Sequence, residues 1–287
     1  MDISDRYKGK KKWIRFLAEL LDRYFQDEIG KSAAALTYYM IFTFFPFLIF
    51  LSMLLGFMNI PLLPLEGEVA NFLPQDMIML INLFITHITE SRNGGLLFVG
   101  FLLTFWFSTR AVRAMMGMIN YAYRGDKPAS WFLHMLSTAI FTVCMMLFIV
   151  LSLGALVIGE GALQWVSQFF PISVDMIVLW SRLRFLVLMV ILFFILSALY
   201  YVAPSYKMKW EDVVWGVLAA LLSWTIFSVG FAYYVDNMGR YSMIYGSIGA
   251  VIVFLMWLYF SCVAVLMGAE FNHVRMMIYR KGRNGGK

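Results

Sequence analysis

Three charged residues stand inside strongly apolar sequence, and chemistry would centre on them. Arg110 and Arg113 follow WFST in the run GGLLFVGFLLTFWFSTRAVRAMMGMINYAY, and Glu270 closes the run LMGAE. A charge among apolar residues is costly, so it marks a functional site by default. Arg110 and Arg113 lie three residues apart, near one helical face, and two guanidinium groups on one stripe suit a phosphate. Glu270 is the expected counter-charge of Arg110, while Asp27, Glu28, Glu211 and Asp212 lie at the same level in or near loops. About 22 Å of helix separates Gly95 from Arg110, which leaves roughly 8 Å to a membrane boundary. A snorkelling arginine spans most of that, so Arg110 either snorkels or faces a cavity.

The segment SAAALTYYMIFTFFPFLIFLSMLLG adds polar groups beside a proline. Pro46 removes a backbone donor and should kink a helix. Thr37, Tyr38, Tyr39 and Thr43 would then gather around the freed carbonyls, as a cavity lining or as tolerated packing. The three histidines, His87, His134 and His273, are scattered, and no HxH, DxD or HxxxH spacing occurs. That pattern offers no metal or acid–base cluster for a hydrolase, and no Walker A motif is present. Cys144 and Cys262 both sit in apolar runs and read as core packing. No metal or cofactor is expected.

The elements that carry these residues are membrane spans. Of 287 residues, 62% are hydrophobic and 14% charged, and the mean hydropathy is +0.77. A soluble domain is about a quarter charged, so the composition rules out disorder and argues against a water-soluble enzyme. A helix needs about 20 mostly apolar residues to cross the hydrocarbon. Six segments meet that length: 33–59, 95–119, 131–158, 184–203, 212–235 and 247–271. The fold class is therefore all-α, a polytopic bundle over 1–275 followed by a basic tail, 276–287. Segment 77–90 is shorter, and its polar residues Asn82, Thr86, Thr89 and Glu90 fall near one face, which favours an interfacial helix.

Charge supports that count. Cytoplasmic loops carry the excess of Lys and Arg. With six spans and both ends cytoplasmic, only Arg92, Arg182, Arg184 and Arg240 of the 23 basic residues lie outside. A seventh span over 77–90 would divide them almost evenly. The +6 formal charge is then a property of the inner surface, suited to anionic lipid headgroups and not a sign of nucleic acid. Residues 11–27 form an amphipathic helix, with Trp13, Ile14, Phe16, Leu17, Leu20, Leu21, Tyr24 and Phe25 apolar and Lys11, Lys12, Arg15, Glu19, Asp22 and Arg23 charged. It lies on the cytoplasmic surface or packs beneath the bundle. The basic start without a small-residue cleavage site does not read as a cleaved signal.

The later spans carry helix-contact signals. Gly246–Ala250 and Gly216–Ala220 are small-xxx-small pairs, Gly249 and Gly268 extend that small-residue surface, and Pro204 ends the fourth span. Tyr241, Tyr245, Gly246, Ser247 and Gly249 form the turn into span six. The tyrosines at span ends, Tyr245 among them, form an aromatic belt or a ligand cage.

The runs AAALTYYMIFTFFPFL (33–48), WFSTR (106–110) with Asn120 and Tyr123, YYVAP (200–204) and YGSIGAVIVFLMWLY through GAEFN (245–272) resemble the YihY/virulence factor BrkB family. The resemblance covers roughly 25–275, with its motifs in order. It implies a bacterial inner-membrane protein with about six spans and brings Asn120 among the candidate binding residues. It also brings an older ribonuclease label, which the scattered histidines do not support, and ties to envelope integrity, serum resistance and export of lipid-like molecules. The resulting expectation is a non-enzymatic transporter or flippase-like protein for an amphiphilic or anionic envelope molecule. The alternative is an envelope scaffold or assembly factor. Membrane lipids are the expected partners, with a homo-oligomer or envelope proteins as further possibilities.

Overall fold

The computed structural model describes residues 11–57, 78–79, 94–125, 132, 135–148, 174–206, 208–237 and 241–280. Regular structure among them is helical: α1 Lys12–Gln26, α2 Ile29–Phe57, α3 Gly94–Ala122, α4 Met135–Phe148, α5 Val174–Val202, α6 Trp210–Asn237 and α7 Tyr241–Arg275, which runs into a π-helical turn, Met276–Arg280. The stretches Ile29–Leu51, Gly94–Ala122, Trp210–Val235 and Gly249–Ile278 are long and apolar enough to cross a membrane, and Met135–Phe148 and Leu186–Val202 are shorter apolar helices. Several helices run past the bounds that hydropathy sets; α7 begins at Tyr241 rather than near 247. Apolar composition marks the hydrocarbon, whereas a helix continues wherever its own ladder satisfies the backbone. The segments 66–90 and 161–180 lie largely outside the described residues, as do residues 281–287 of the tail. So do the side chains of Tyr241, Tyr245 and Ser247; Gly246 falls in the same first turns of α7.

The sides of the helices are apolar and open. Leu222 and Ile226 on α6 and Phe98 and Trp106 on α3 are each about two-thirds exposed. Such a surface suits hydrocarbon as solvent. Some buried hydroxyls inside the bundle turn back on their own helices, as Thr104 does to the Gly100 carbonyl (2.6 Å) and Thr142 to that of Thr138 (2.8 Å). This closes their hydrogen bonding without water.

Pairings along the helices set their directions. Thr37 and Met40 of α2 meet Cys262 of α7, and Phe44 meets Phe254, so these two run antiparallel. Trp224 donates to Ser261 and Trp257 to Ser228, which makes α6 and α7 antiparallel as well. Tyr200 of α5 donates to the Val265 carbonyl. The C-termini of α3, α5 and α7 and the N-termini of α2 and α6 consequently meet at one polar end.

Small residues bring backbones together where helices cross. A Cβ on Gly216 would strike the Gly268 carbonyl and Asn272, and one on Gly268 would strike Tyr200, Ala220 and the Gly216 carbonyl. Gly100 lets α3 approach α2, since its Cβ would come within 3.0 Å of the Phe50 amide nitrogen. Gly249 leads into Ala250, which is buried on α7. Helix α2 runs unbroken through Pro46, and Pro204 is buried just beyond the end of α5.

Helix α1 divides its two faces between different surroundings. Trp13, Leu17, Leu21 and Phe25 form an i, i+4 stripe that is half or more exposed, while Ala18, Asp22 and Arg23 are buried. The charged side of this amphipathic helix thus faces the bundle, where Phe16 packs edge-on to Phe271 at 4.8 Å.

Gly216→Val overpacks the α6–α7 crossing and should lower the unfolding midpoint of the detergent-purified protein by about 5 °C or more. Gly230→Val, whose Cβ meets nothing within 4 Å, should leave it nearly unchanged. Equal midpoints would contradict the close crossing.

Candidate functional site

The polar end is organised around the break between α1 and α2. Asp27 caps α1, its N–H donating to the Arg23 carbonyl at 3.0 Å. Glu28 then takes a left-handed backbone (φ 49°), uncommon for a side chain of this kind, and its carbonyl accepts the Ser32 N–H that opens α2. The turn pushes the Asp27 carboxylate inward.

A second left-handed residue faces it. Arg124 (φ 55°) follows α3, and the Gly125 N–H reaches back to the Asn120 carbonyl at 2.9 Å, the bonding of a Schellman-type helix end. From there Arg124 Nη2 donates to both Asp27 oxygens, at 2.8 and 3.2 Å. Burial opposes the Arg124 charge, but Asp27 and Tyr121 together outweigh it and raise its pKa.

Arg23 joins this pair to α7. Its Nη1 lies 3.4 Å from Asp27 Oδ2 and 3.5 Å from Glu270 Oε2, and its Nε lies 3.6 Å from Glu19. The Glu270 side chain is 0% exposed, and its Oε1 has no hydrogen-bond partner. At the surface, Lys31 pairs with Glu28 at 2.5 Å.

Asn272, two residues beyond Glu270 on α7, ties three elements together. Its Oδ1 accepts the Gly216 N–H (2.6 Å), and its Nδ2 donates to the Val213 carbonyl and the Tyr123 hydroxyl (both 2.9 Å). Burial pushes the Tyr123 phenol well above its usual pKa, so it remains a hydroxyl. Asn120 fastens the end of α3 to the α5–α6 connection by accepting from Ser205 N (2.8 Å) and Oγ (3.0 Å).

Beside this web lies a cavity of about 380 Å³, lined on the α1–α2 side by Asp27, Glu28, Ile29 and Ser32, on the α3 side by Arg113, Ala114, Gly117, Met118 and Tyr121, and by Glu270. Arg113, Gly117 and Tyr121 on α3 and Glu28 at the α1–α2 turn are exposed, so the cavity is open to the surface along these residues. Among the described residues Arg113 forms no ion pair.

The structure gathers some of the sequence candidates and separates others. Arg113 and Glu270 share the cavity. The expected Arg110–Glu270 pair is not made: Glu270 takes Arg23, and the exposed Arg110 lies 5.2 Å over the Trp106 ring. The three-residue offset turns Arg110 outward along α3 while Arg113 faces the α2 side. Thr37, Tyr38 and Tyr39 do not line the cavity; Thr37 bonds back to the Ala33 carbonyl at 2.8 Å, and Tyr38 faces outward beside Tyr39 and Phe42. Arg23, Arg124 and Asn272 were not singled out as site residues by sequence reasoning. Their signals were the DE break after α1 and the asparagine closing GAEFN. Among the described residues no group of three or more His, Cys, Asp or Glu could hold a metal ion.

Residues 20–285 match the family model described as virulence factor BrkB. The chain is 32% identical over 260 residues to YfkH of Bacillus subtilis (strain 168), whose name calls it ribonuclease-like, covering 90% of this chain and 94% of that protein. It is 28% identical over 269 residues to a UPF0761 membrane protein of Azotobacter vinelandii (strain DJ / ATCC BAA-1303), covering 90% of this chain but 62% of that one. A shorter match, 36% over 74 residues, joins 26% of this chain to 24% of a UPF0761 membrane protein of Tolumonas auensis (strain DSM 9187 / NBRC 110442 / TA 4). The chain thus spans only part of the length of these UPF0761 relatives. No solved structure matches.

Asn272→Leu leaves the Gly216 N–H and the Tyr123 hydroxyl without their partner and should cost about 3 kcal/mol of stability, against about 1 kcal/mol for Tyr123→Phe. Thermal unfolding in detergent orders the two. An Asn272→Leu protein as stable as Tyr123→Phe would contradict the central role of this amide.

Proposed function

The chain belongs to the virulence factor BrkB family of membrane proteins, and from that premise we propose that it moves an amphiphilic envelope molecule across the bacterial plasma membrane. The observation that carries this reading is the cavity, which is charged inside, lies at the polar end of an apolar bundle and has the exposed Arg113, Gly117 and Tyr121 of α3 along its edge. An amphiphile calls for a polar recess reached from the side, so that its head enters while its chains stay in hydrocarbon.

The topology that fits is six spans with both termini cytoplasmic. Helices α3 and α5 both end at the polar face, and Thr138, near the start of α4, lies 3.7 Å from Met116 in the last turns of α3. An outward α4 and an inward α5 would supply the two remaining crossings. The cavity then sits at the level of the inner-leaflet headgroups, where the basic surface favours anionic lipid. The outward stripe of α1, Trp13, Leu17, Leu21 and Phe25, lies in the same leaflet as an interfacial helix. The reading assigns the chain no catalytic chemistry, cofactor or nucleic acid. It gives Arg113 the head's anionic group and gives Arg110, stacked on Trp106, a place at the lipid boundary.

Reconstitution in vesicles with acyl-labelled phospholipids tests the proposal. The wild-type protein should speed the exposure of inner-leaflet label to an external quencher. Arg113→Gln should slow it about tenfold or more, the loss expected for a charge-assisted hydrogen bond to phosphate, and Arg110→Ala should move lipid nearly as well as wild type. Folded wild-type protein that does no better than protein-free vesicles would overturn the transport reading in favour of an envelope scaffold.

A further inference from the structure

We infer that the cavity receives a zwitterion: a protonated amine at Glu270 and a phosphate or carboxylate at Arg113. The inference deepens the headgroup reading above and rests on it. Its basis is an imbalance in how the cavity's charges are used.

The carboxylates of Glu19, Asp27, Glu28 and Glu270 share the cations Arg23, Arg124 and Lys31. Arg124 and Arg23 both serve Asp27, and Lys31 serves Glu28. Arg23 is left divided among Glu19, Asp27 and Glu270, with its Nη1 no closer than 3.4 Å to either of the latter two. Glu270 is thus the under-served member. It is fully buried, lines the cavity and keeps one oxygen without a hydrogen-bond partner. A buried carboxylate oxygen left unsatisfied is expensive, and an N–H donor entering the cavity would relieve it. Arg113 on the opposite wall is exposed and is a guanidinium with no ion pair among the described residues, free to take an anion.

Neither a simple anion nor a simple cation meets both needs. An anion alone at Arg113 would leave Glu270 Oε1 without a donor. A metal ion is disfavoured because these carboxylates do not form a ligand cluster. A lone amine would leave Arg113 without an anion. A molecule carrying ammonium and phosphate together satisfies both walls, and the cavity volume is at the small end for ligand sites, enough for a head without its chains. The ammonium must keep its hydrogens, because a quaternary amine cannot donate to Glu270.

Binding to the detergent-purified full chain tests this separately from transport. Native mass spectrometry would titrate phosphatidylethanolamine, its N-acetylated form and phosphatidylcholine against wild type, Glu270→Gln and Arg113→Gln. Wild type should hold phosphatidylethanolamine about tenfold or more tighter than either derivative. Glu270→Gln should abolish that preference, and Arg113→Gln should weaken phosphatidylethanolamine and its N-acetylated form alike. Displacement of bound phosphatidylethanolamine by glycerophosphoethanolamine would support a soluble zwitterion as ligand, and retention of the lipid against it would support a lipid headgroup. Equal wild-type affinity for phosphatidylethanolamine and its N-acetylated form would overturn the inference without any variant. So would a preference that survives Glu270→Gln. A protein that binds selectively but moves no lipid would keep the zwitterion site and discard transport; one that moves lipids of every head alike, without selective binding, would do the reverse.

Discussion

One guanidinium shared by two buried carboxylates holds the polar end of this molecule together. Arg23 reaches both Asp27 and Glu270, and through them it joins α1 to the bundle and α7 to the start of α2. Removing one partner of such a group leaves a buried charge uncompensated, at a cost of about 3–5 kcal/mol. The arrangement therefore explains why two residues with side chains, Glu28 and Arg124, accept left-handed backbones on either side of it. Each turn is needed to bring Asp27 and Arg124 face to face, and the resulting contacts at 2.8 and 3.2 Å offset the strain.

The rest of the bundle follows from its solvent. Hydrocarbon provides no hydrophobic drive between helices, so close approach at small residues and internal hydrogen bonds must do the work. The crossing of Gly216 with Gly268, and the Asn272 amide that bridges α6, α7 and the end of α3, supply both within one helical turn. Polar groups are concentrated where the helix ends gather, and the sides are left apolar. A charged recess lies at that level, with Arg113, Gly117 and Tyr121 of α3 exposed along it.

The sequence carried the helical class, most span positions and the family motifs, because an apolar run of given length is a one-dimensional signal. Small-residue pairs such as Gly216–Ala220 were legible for the same reason. The ion web was not. Arg23 lies on the charged face of an amphipathic helix, and from sequence that face reads as solvated. In the fold the charged side turns toward the bundle, while Trp13, Leu17, Leu21 and Phe25 turn away. The choice of Arg110 over Arg23 as the partner of Glu270 failed on rotation: both lie at a suitable depth, but depth along a helix says nothing about which way a side chain points. Asn272 was visible only as the last letter of a motif, since its three partners are more than 50 residues away in sequence.

The central claim is that the amphiphile's head passes through the recess between α2 and α3. Gly117 lines that recess, and a side chain there meets open space. The direct measurement uses a background in which Cys144 and Cys262, the free cysteines, are serine, and adds Gly117→Cys or, as control, Gly230→Cys. Each protein is alkylated with a bulky maleimide before reconstitution. The account predicts that alkylation at 117 stops lipid movement while alkylation at 230 leaves it intact. Unchanged lipid movement in the protein alkylated at 117 would contradict it.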